Sequence, residues 1–107
     1  MHAFDLQPLL DVRERSNRAY LEFLRVPSMS AGLYVLPAGG VDPQKPHAED
    51  EVYYVIRGRS KVRVGDEDRD VEAGSIILVP AQVEHRFHTI LEDLTLLVLF
   101  APAETKN

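Results

Sequence analysis

Two histidines and one glutamate in this chain have the residue types and the spacing to bind a divalent cation. His47 and Glu51 stand four residues apart, directly before an aromatic and β-branched run, and His85 follows an apolar run further along the chain. Residues of equal parity lie on one face of a strand. Neutral imidazoles and a carboxylate suit divalent first-row metals. If both segments line one barrel, the three side chains can converge on one cation.

The elements that must position these residues are mainly strands. Short apolar or alternating runs are separated by Gly, Pro and Asp turns, which is typical of an all-β sandwich or barrel. A short helix is predicted over residues 4–16, with Pro8 in its first turn. The predicted strands are residues 19–26, 30–36, 52–57, 60–64, 70–72, 75–79, 84–89 and 94–100.

Length and composition restrict the possible classes of protein. The chain has 107 residues, which fits one compact domain, and it contains no cysteine. Disulfides and thiolate metal sites are therefore excluded, and a reducing compartment is suitable. A net charge of −5 argues against nucleic-acid or anionic-membrane partners. The N-terminal region does not follow the pattern of a signal peptide. We expect a cytoplasmic protein.

The stretch around His47 resembles the first motif of the cupin superfamily, the small jelly-roll β-barrels. That motif reads G-x5-H-x-H-x3-4-E-x6-G. Gly39, Lys45, His47, Glu51 and Gly58 match its spacing, with lysine in place of the first histidine.

The stretch around His85 resembles the second cupin motif, G-x5-P-x-G-x2-H-x3-N. Gly74, Pro80, Gln82, His85 and Thr89 follow its spacing. Glutamine stands in place of the turn glycine, and threonine stands in place of the asparagine. The two motifs together, in this order and on a strand-rich chain, are a specific signal.

The resemblance implies a cupin jelly-roll β-barrel, also called a double-stranded β-helix, with a short N-terminal helix. We expect a single cupin domain over residues 1–107. It would have an N-terminal segment over residues 1–18, the conserved barrel over residues 33–100 and a frayed tail over residues 103–107.

Carried over by position, the resemblance implies that His47, Glu51 and His85 bind a divalent metal ion such as Fe, Mn, Zn or Ni. Lys45 is not a ligand while it is protonated. Two alternatives remain at this point. Gln44 can supply an amide oxygen as a fourth ligand, or the metal keeps three protein ligands and open positions, with Lys45 turned outward.

The function implied is that of a metal-dependent enzyme acting on a small molecule. A dioxygenase is favoured, and isomerase, lyase and hydrolase chemistries are also known on this fold. The alternative is a non-catalytic module that binds a small ligand or a metal, with a vestigial site. The catalytic residues are unknown, although Tyr53 shares the face of Glu51 and can hydrogen-bond a ligand. We expect a homodimer, with residues 19–26 as an edge strand available to a second subunit.

Overall fold

The computed structural model describes residues 1–43 and 45–105, which form one helix and six antiparallel strands. The elements are α1 (Leu6–Ser16), β1 (Tyr20–Val26), β2 (Met29–Leu36), β3 (Asp50–Val64), β4 (Glu67–Glu72), β5 (Ile76–Val79) and β6 (His85–Ala101). The predicted all-β fold with a short N-terminal helix is confirmed. Across the described ranges, no helix has the length and apolar character needed to cross a membrane.

The strands form one curved sheet in the order β1-β2-β6-β3-β4, and β5 pairs with β3. The two long strands β3 and β6 pair along most of their length. The first part of β3 also pairs with β5, and its second part pairs with β4. Each long strand therefore belongs to both ends of the barrel, which brings distant parts of the chain together.

The predicted breaks within β3 and β6 are wrong. Residues 52–57 and 60–64 belong to one strand, and so do residues 84–89 and 94–100. Gly58 has a φ of 104°, and the pairing register of β3 shifts on both sides of it. A bulge of this kind bends a strand without ending it. Gly58, which was predicted to end a strand, instead bends one continuous strand.

The core lies between the inward faces of the strands. In β3, Tyr53 and Val55 are buried, whereas Tyr54 between them is exposed, as a period of two requires. The rings of Tyr53 and Phe87 meet edge to face, with centroids 4.9 Å apart. The buried cluster also contains Leu94 and other apolar residues of β6. This packing holds the barrel closed around the candidate site.

Two departures from the second cupin motif occur at positions with left-handed backbone. Gln82 has a φ of 68° and Thr89 a φ of 51°. Glycine and asparagine, the usual residues of the motif, adopt such angles more readily than other residues. The chain thus preserves the backbone conformation of the motif with less suitable side chains.

Candidate metal centre

The three candidate ligands come from different parts of the barrel. Glu51 is the second residue of β3, His85 is the first residue of β6, and His47 lies in the segment before β3. The backbone N–H of Gln82 donates a 2.7 Å hydrogen bond to the carbonyl oxygen of His47. The turn before β6 therefore holds both histidines in place.

A buried carboxylate fixes the loop that leads to His47. Asp42 accepts a hydrogen bond from the Tyr34 hydroxyl at 2.7 Å and another from the Phe87 backbone N–H at 2.9 Å. Both of its oxygens are used, as burial of a charged group requires. Asp42 links β2, this loop and β6, and its role is structural.

The structure brings His47, Glu51 and His85 into one cluster. Each residue offers a ligand atom, and these atoms all lie within 4.8 Å of one another. Glu51 Oε1 is 3.1 Å from His85 Nε2 and 3.9 Å from His47 Nε2. The side chains of Glu51 and His85 are 1% exposed and that of His47 is 19% exposed. The cluster is thus buried at Glu51 and His85 and accessible from the side of His47.

Polar atoms of this cluster are buried without hydrogen bonds. Among the described residues, neither oxygen of Glu51 has a hydrogen-bond partner, and nor does Nε2 of His85. Nε2 and Oε1 lie 3.1 Å apart without a hydrogen bond between them. Nδ1 of His85 faces the Val83 carbonyl oxygen at 3.0 Å. A carbonyl only accepts, so Nδ1 carries a proton.

This tautomer leaves Nε2 of neutral His85 with a lone pair beside a carboxylate, which is an unfavourable arrangement of two acceptors. A cation or a proton between Nε2 and Glu51 would remove the conflict. Buried polar groups without partners are costly. The donor set of two imidazoles and a carboxylate, together with these unsatisfied atoms, fits a divalent metal ion.

The charges around the cluster shift two pKa values. Burial alone would lower the pKa of His85, but the Glu51 carboxylate and the Val83 carbonyl outweigh it, and the pKa is raised above its ordinary value. Burial raises the pKa of Glu104, nearby His47 lowers it, and the negative charges of Glu51 and Glu49 raise it again. The raised pKa of His85 reflects the negative charge of Glu51, which a bound cation would offset, whereas the raised pKa of Glu104 reflects mainly burial.

A cavity of about 130 Å³ lies beside Glu51. Its walls are formed by Tyr20, Glu51, Val98, Phe100 and Glu104. Within the ranges that the structure describes, the hydroxyl of Tyr20 is buried and has no hydrogen-bond partner. The cavity therefore offers a hydroxyl and two carboxylates to whatever occupies it.

Tyr53 lies beside Glu51 on the inward face of β3, as predicted. Its hydroxyl is buried and, among the residues that the structure describes, has no hydrogen-bond partner. Burial raises the pKa of Tyr53 well above its ordinary value, and the charge of Glu51 raises it further. Tyr53 is therefore neutral at ordinary pH and can act as a hydrogen-bond donor.

The remaining candidates lie elsewhere. Lys45 is exposed, and it lines an open cavity of about 470 Å³ that His85 also lines. Gln44, the candidate fourth ligand, lies outside the described residues. His88 lies on the outside of the barrel, where its Nε2 is 2.7 Å from a carboxylate oxygen of Asp68.

Sequence reasoning missed Tyr20 and Glu104 as residues of the site. Tyr20 looked like an ordinary strand residue, and Glu104 lies in the segment expected to fray. Alternation assigns Glu49 the same parity as Glu51, but its buried carboxylate instead accepts two hydrogen bonds from Thr105. No local pattern marks any of these residues, because their partners are distant in the chain.

An antiparallel barrel with a His-Glu-His cluster inside defines a class of small β-barrel proteins with a potential metal site. The family model for the cupin domain matches residues 32–100, well over half of the chain. The chain therefore belongs to the cupin family, and the resemblance seen in the two motifs is confirmed.

Comparisons with individual proteins agree with this assignment. The chain is 52% identical over 105 residues to the uncharacterized protein SCO3923 of Streptomyces coelicolor, covering 98% of this chain and 100% of that one. The crystal structure of TT1209 from Thermus thermophilus is 28% identical, with a TM-score of 0.73, and the match covers 96% of this chain and 99% of that one.

A more distant structure shows the same fold. The DMSP lyase DddQ from Ruegeria pomeroyi is 21% identical, with a TM-score of 0.69. The match covers 78% of this chain and 47% of that lyase, so the chain spans about half of its length. At this identity the likeness shows only the fold, and the double-stranded β-helix architecture is confirmed.

Proposed function

We propose that this protein is a metal-dependent cupin that acts on a small molecule, with the metal held by His47, Glu51 and His85. The observation that carries the proposal is the buried cluster in which two oxygens of Glu51 and Nε2 of His85 lie without hydrogen bonds among the described residues. A site built only for stability would satisfy these atoms.

The three residues have distinct roles in this proposal. Glu51 supplies the carboxylate ligand, since both of its oxygens lie without hydrogen bonds among the residues that the structure describes. His85 binds through Nε2, because Nδ1 donates to Val83. His47, the most exposed of the three, lies where a ligand enters. A bound metal would supply Lewis-acid or redox chemistry at the position between them.

The dimensions of the cavity beside Glu51 favour a small substrate. The cavity beside Glu51 is about 130 Å³, whereas ligand pockets for drug-sized molecules span about 300–1,000 Å³. Tyr20 offers a neutral hydroxyl, and Glu51 and Glu104 offer carboxylates at the cavity wall. A small polar molecule with hydrogen-bond donors suits this lining better than a large or purely apolar one.

Within the enzyme class we favour a dioxygenase. Three protein ligands leave metal positions open for two further small ligands, as in 2-His-1-carboxylate sites. An isomerase or another Lewis-acid reaction would use the same ligands. The DMSP lyase DddQ illustrates lyase chemistry on this fold.

A non-catalytic binding module with a vestigial site is the second candidate. The observation that favours it is the replacement of the first motif histidine by Lys45, whose side chain is exposed. Such a module would hold a metal or a small ligand without turnover.

We also propose a homodimer in the cytoplasm. β1 is a terminal strand of the sheet order and offers an edge for pairing with a second copy. Light scattering tests the dimer, and a monomer at micromolar concentration would contradict it. The cytoplasmic location rests on the absence of cysteine, and cell fractionation tests it.

The decisive experiment is metal analysis of protein purified after growth with Fe, Mn, Zn and Ni. We expect about one metal ion per chain in the wild type and a large loss in Glu51→Gln. Glu84→Gln is the matched control, because Glu84 precedes His85 but its residue is exposed. Wild-type protein that binds none of these metals would refute the proposal.

Activity on candidate substrates separates the two candidate functions. An enzyme loses turnover in Glu51→Gln and retains it in Glu84→Gln. A binding module shows metal or ligand binding with no turnover in either protein.

A further inference from the structure

The segment that follows β6 lies across the accessible side of the metal centre. We call residues 103–105 the strap. Its Ala103 N–H donates to the Pro27 carbonyl at 3.4 Å, and its Glu104 N–H donates to the Ser30 hydroxyl at 2.9 Å. Thr105 donates from its backbone N–H and its hydroxyl to the Glu49 carboxylate, at 3.2 Å and 2.6 Å. The strap is therefore fixed to the turn between β1 and β2, to β2 and to the segment before β3.

A fifth hydrogen bond holds Glu104 itself. Arg25 donates from Nη2 to the backbone carbonyl oxygen of Glu104. Both backbone polar groups of Glu104 are thus engaged, and its side chain is directed toward the site. Glu104 Oε2 lies 3.5 Å from His47 Nδ1, with the carboxyl side chain 22% exposed.

We propose that Glu104 is the positioning residue for His47, accepting the Nδ1 proton so that Nε2 is presented to the metal. This inference rests on the proposed metal site. The two ring nitrogens face different carboxylates, since Nε2 is 3.9 Å from Glu51 and Nδ1 is 3.5 Å from Glu104. Histidine ligands commonly donate their second N–H to a carboxylate or carbonyl, which fixes the tautomer and raises the basicity of the ligating nitrogen.

His47 needs such a partner more than His85 does. His85 begins a strand, and its Nδ1 is held by the Val83 carbonyl two residues away. His47 lies in a segment outside the strands and is the most exposed of the three candidate ligands. Its ring meets that of Phe100 edge to face, with centroids 5.0 Å apart. Glu104 adds the polar contact that selects one of the two nitrogens for the metal.

A direct role of Glu104 as a fourth ligand is the competing interpretation. The position of its carboxylate beside Nδ1 favours the positioning role, because a ligand would approach the same cation as Nε2. The two roles differ in what a glutamine does at this position. Its amide oxygen still accepts the Nδ1 proton, but it replaces a charged ligand by a weak neutral one.

The test compares metal affinity in the wild type, Glu104→Ala, Glu104→Gln and Glu92→Ala. Metal-free proteins are titrated with Zn²⁺ in competition with a chromophoric chelator at one pH. Glu92 is an exposed residue of β6, so its variant has the same loss of charge without contact to the site. We expect a 10- to 100-fold loss in Glu104→Ala, recovery to within about threefold in Glu104→Gln, and no change in Glu92→Ala.

The absorption spectrum of the Co²⁺-loaded proteins distinguishes the two roles. An unchanged spectrum in Glu104→Gln supports positioning, and a changed ligand-field spectrum would overturn it in favour of direct ligation. Equal Zn²⁺ affinities in the wild type and Glu104→Ala would also overturn the inference while leaving the metal site intact. Wild-type protein that does not bind Zn²⁺ would instead refute the proposed function. Should Glu104→Ala not fold, Glu104→Leu, which also lacks a hydrogen-bond acceptor, takes its place in the Zn²⁺ titration.

Discussion

Metal affinity should fall as the pH is lowered, because a proton competes with the cation for Nε2 of His85. Nδ1 is committed to the Val83 carbonyl, so the proton that leaves on metal binding is the one on Nε2, 3.1 Å from Glu51. Burial works against protonation, but Glu51 and Val83 raise the net pKa of His85 above the ordinary value of about 6.5. Below that raised pKa, each pH unit lowers the affinity tenfold through this residue, or about 1.4 kcal/mol.

The lower bound of the effect follows from the ordinary pKa. A group titrating at about 6.5 would make Zn²⁺ binding about threefold weaker at pH 6 than at pH 7 and release about 0.8 proton at pH 6. The raised pKa of His85 makes both numbers larger. Isothermal titration calorimetry in two buffers of different ionisation enthalpy measures both. His88→Asn is the control, since His88 contacts Asp68 on the outer surface. A flat affinity with no proton release would refute this account of Nε2.

The same shift predicts how the metal-free protein responds to pH. A group whose pKa is raised on folding contributes stability that is fully present below its unfolded pKa and is lost as the pH rises through its folded pKa. The contribution of His85 to the free energy of unfolding in urea should therefore be smaller at pH 8 than at pH 6 in the metal-free protein. His85→Gln should flatten that part of the profile. An unchanged profile in this variant would contradict the predicted linkage.

Three further predictions concern the barrel around the site. Gly58→Ala should lower the free energy of unfolding more than Gly74→Ala does. Both glycines have positive φ (104° and 95°), but only at Gly58 would the new Cβ clash with the Asp93 carbonyl oxygen. Backbone strain alone costs about 1–3 kcal/mol, and equal losses in urea denaturation would contradict the clash. Thr89→Asn should stabilise the protein by about 1 kcal/mol, because a β-branched residue is strained at a φ of 51°; a lower midpoint in urea would count against it. Tyr20→Phe should leave stability unchanged or raise it by up to about 1 kcal/mol, since its buried hydroxyl has no partner among the described residues; a loss above 1 kcal/mol would show that the hydroxyl is bonded.

The inward direction of Glu51 and Tyr53 was predictable from the sequence. Strand alternation has a period of two, and it is a local property of the backbone. Both residues are buried in β3 as that alternation predicts. The motif spacing likewise placed His47 and His85 close enough to form one cluster, because the family fold brings the two motifs together.

The continuity of the long strands was not predictable in the same way. A glycine with positive φ can end a strand or form a bulge. The local sequence around Gly58 is compatible with both. The difference is made by β6, which continues to pair with β3 on both sides of the bend. Pairing with a strand some 30 residues away is a tertiary effect that local patterns do not record.

The strap was beyond sequence reasoning for a similar reason. Residues 103–105 have no apolar periodicity, and their hydrogen bonds reach Pro27, Ser30 and Glu49, which lie more than 50 residues away. Each of these partners is held by the fold itself. Lys106 and Asn107, the rest of the predicted frayed tail, lie outside the described residues.

The departure at Lys45 and the position of Glu104 have a common electrostatic consequence. A protonated lysine directed into the cluster would repel a cation, and Lys45 is instead exposed to solvent. Glu104 meanwhile adds a second carboxylate on the side of His47. The site therefore has fewer nitrogen donors and more negative charge than the usual motif provides. A buried carboxylate without hydrogen-bond partners is stable only when a proton or a cation lies beside it. At neutral pH the proton and the cation compete for the same nitrogen, Nε2 of His85.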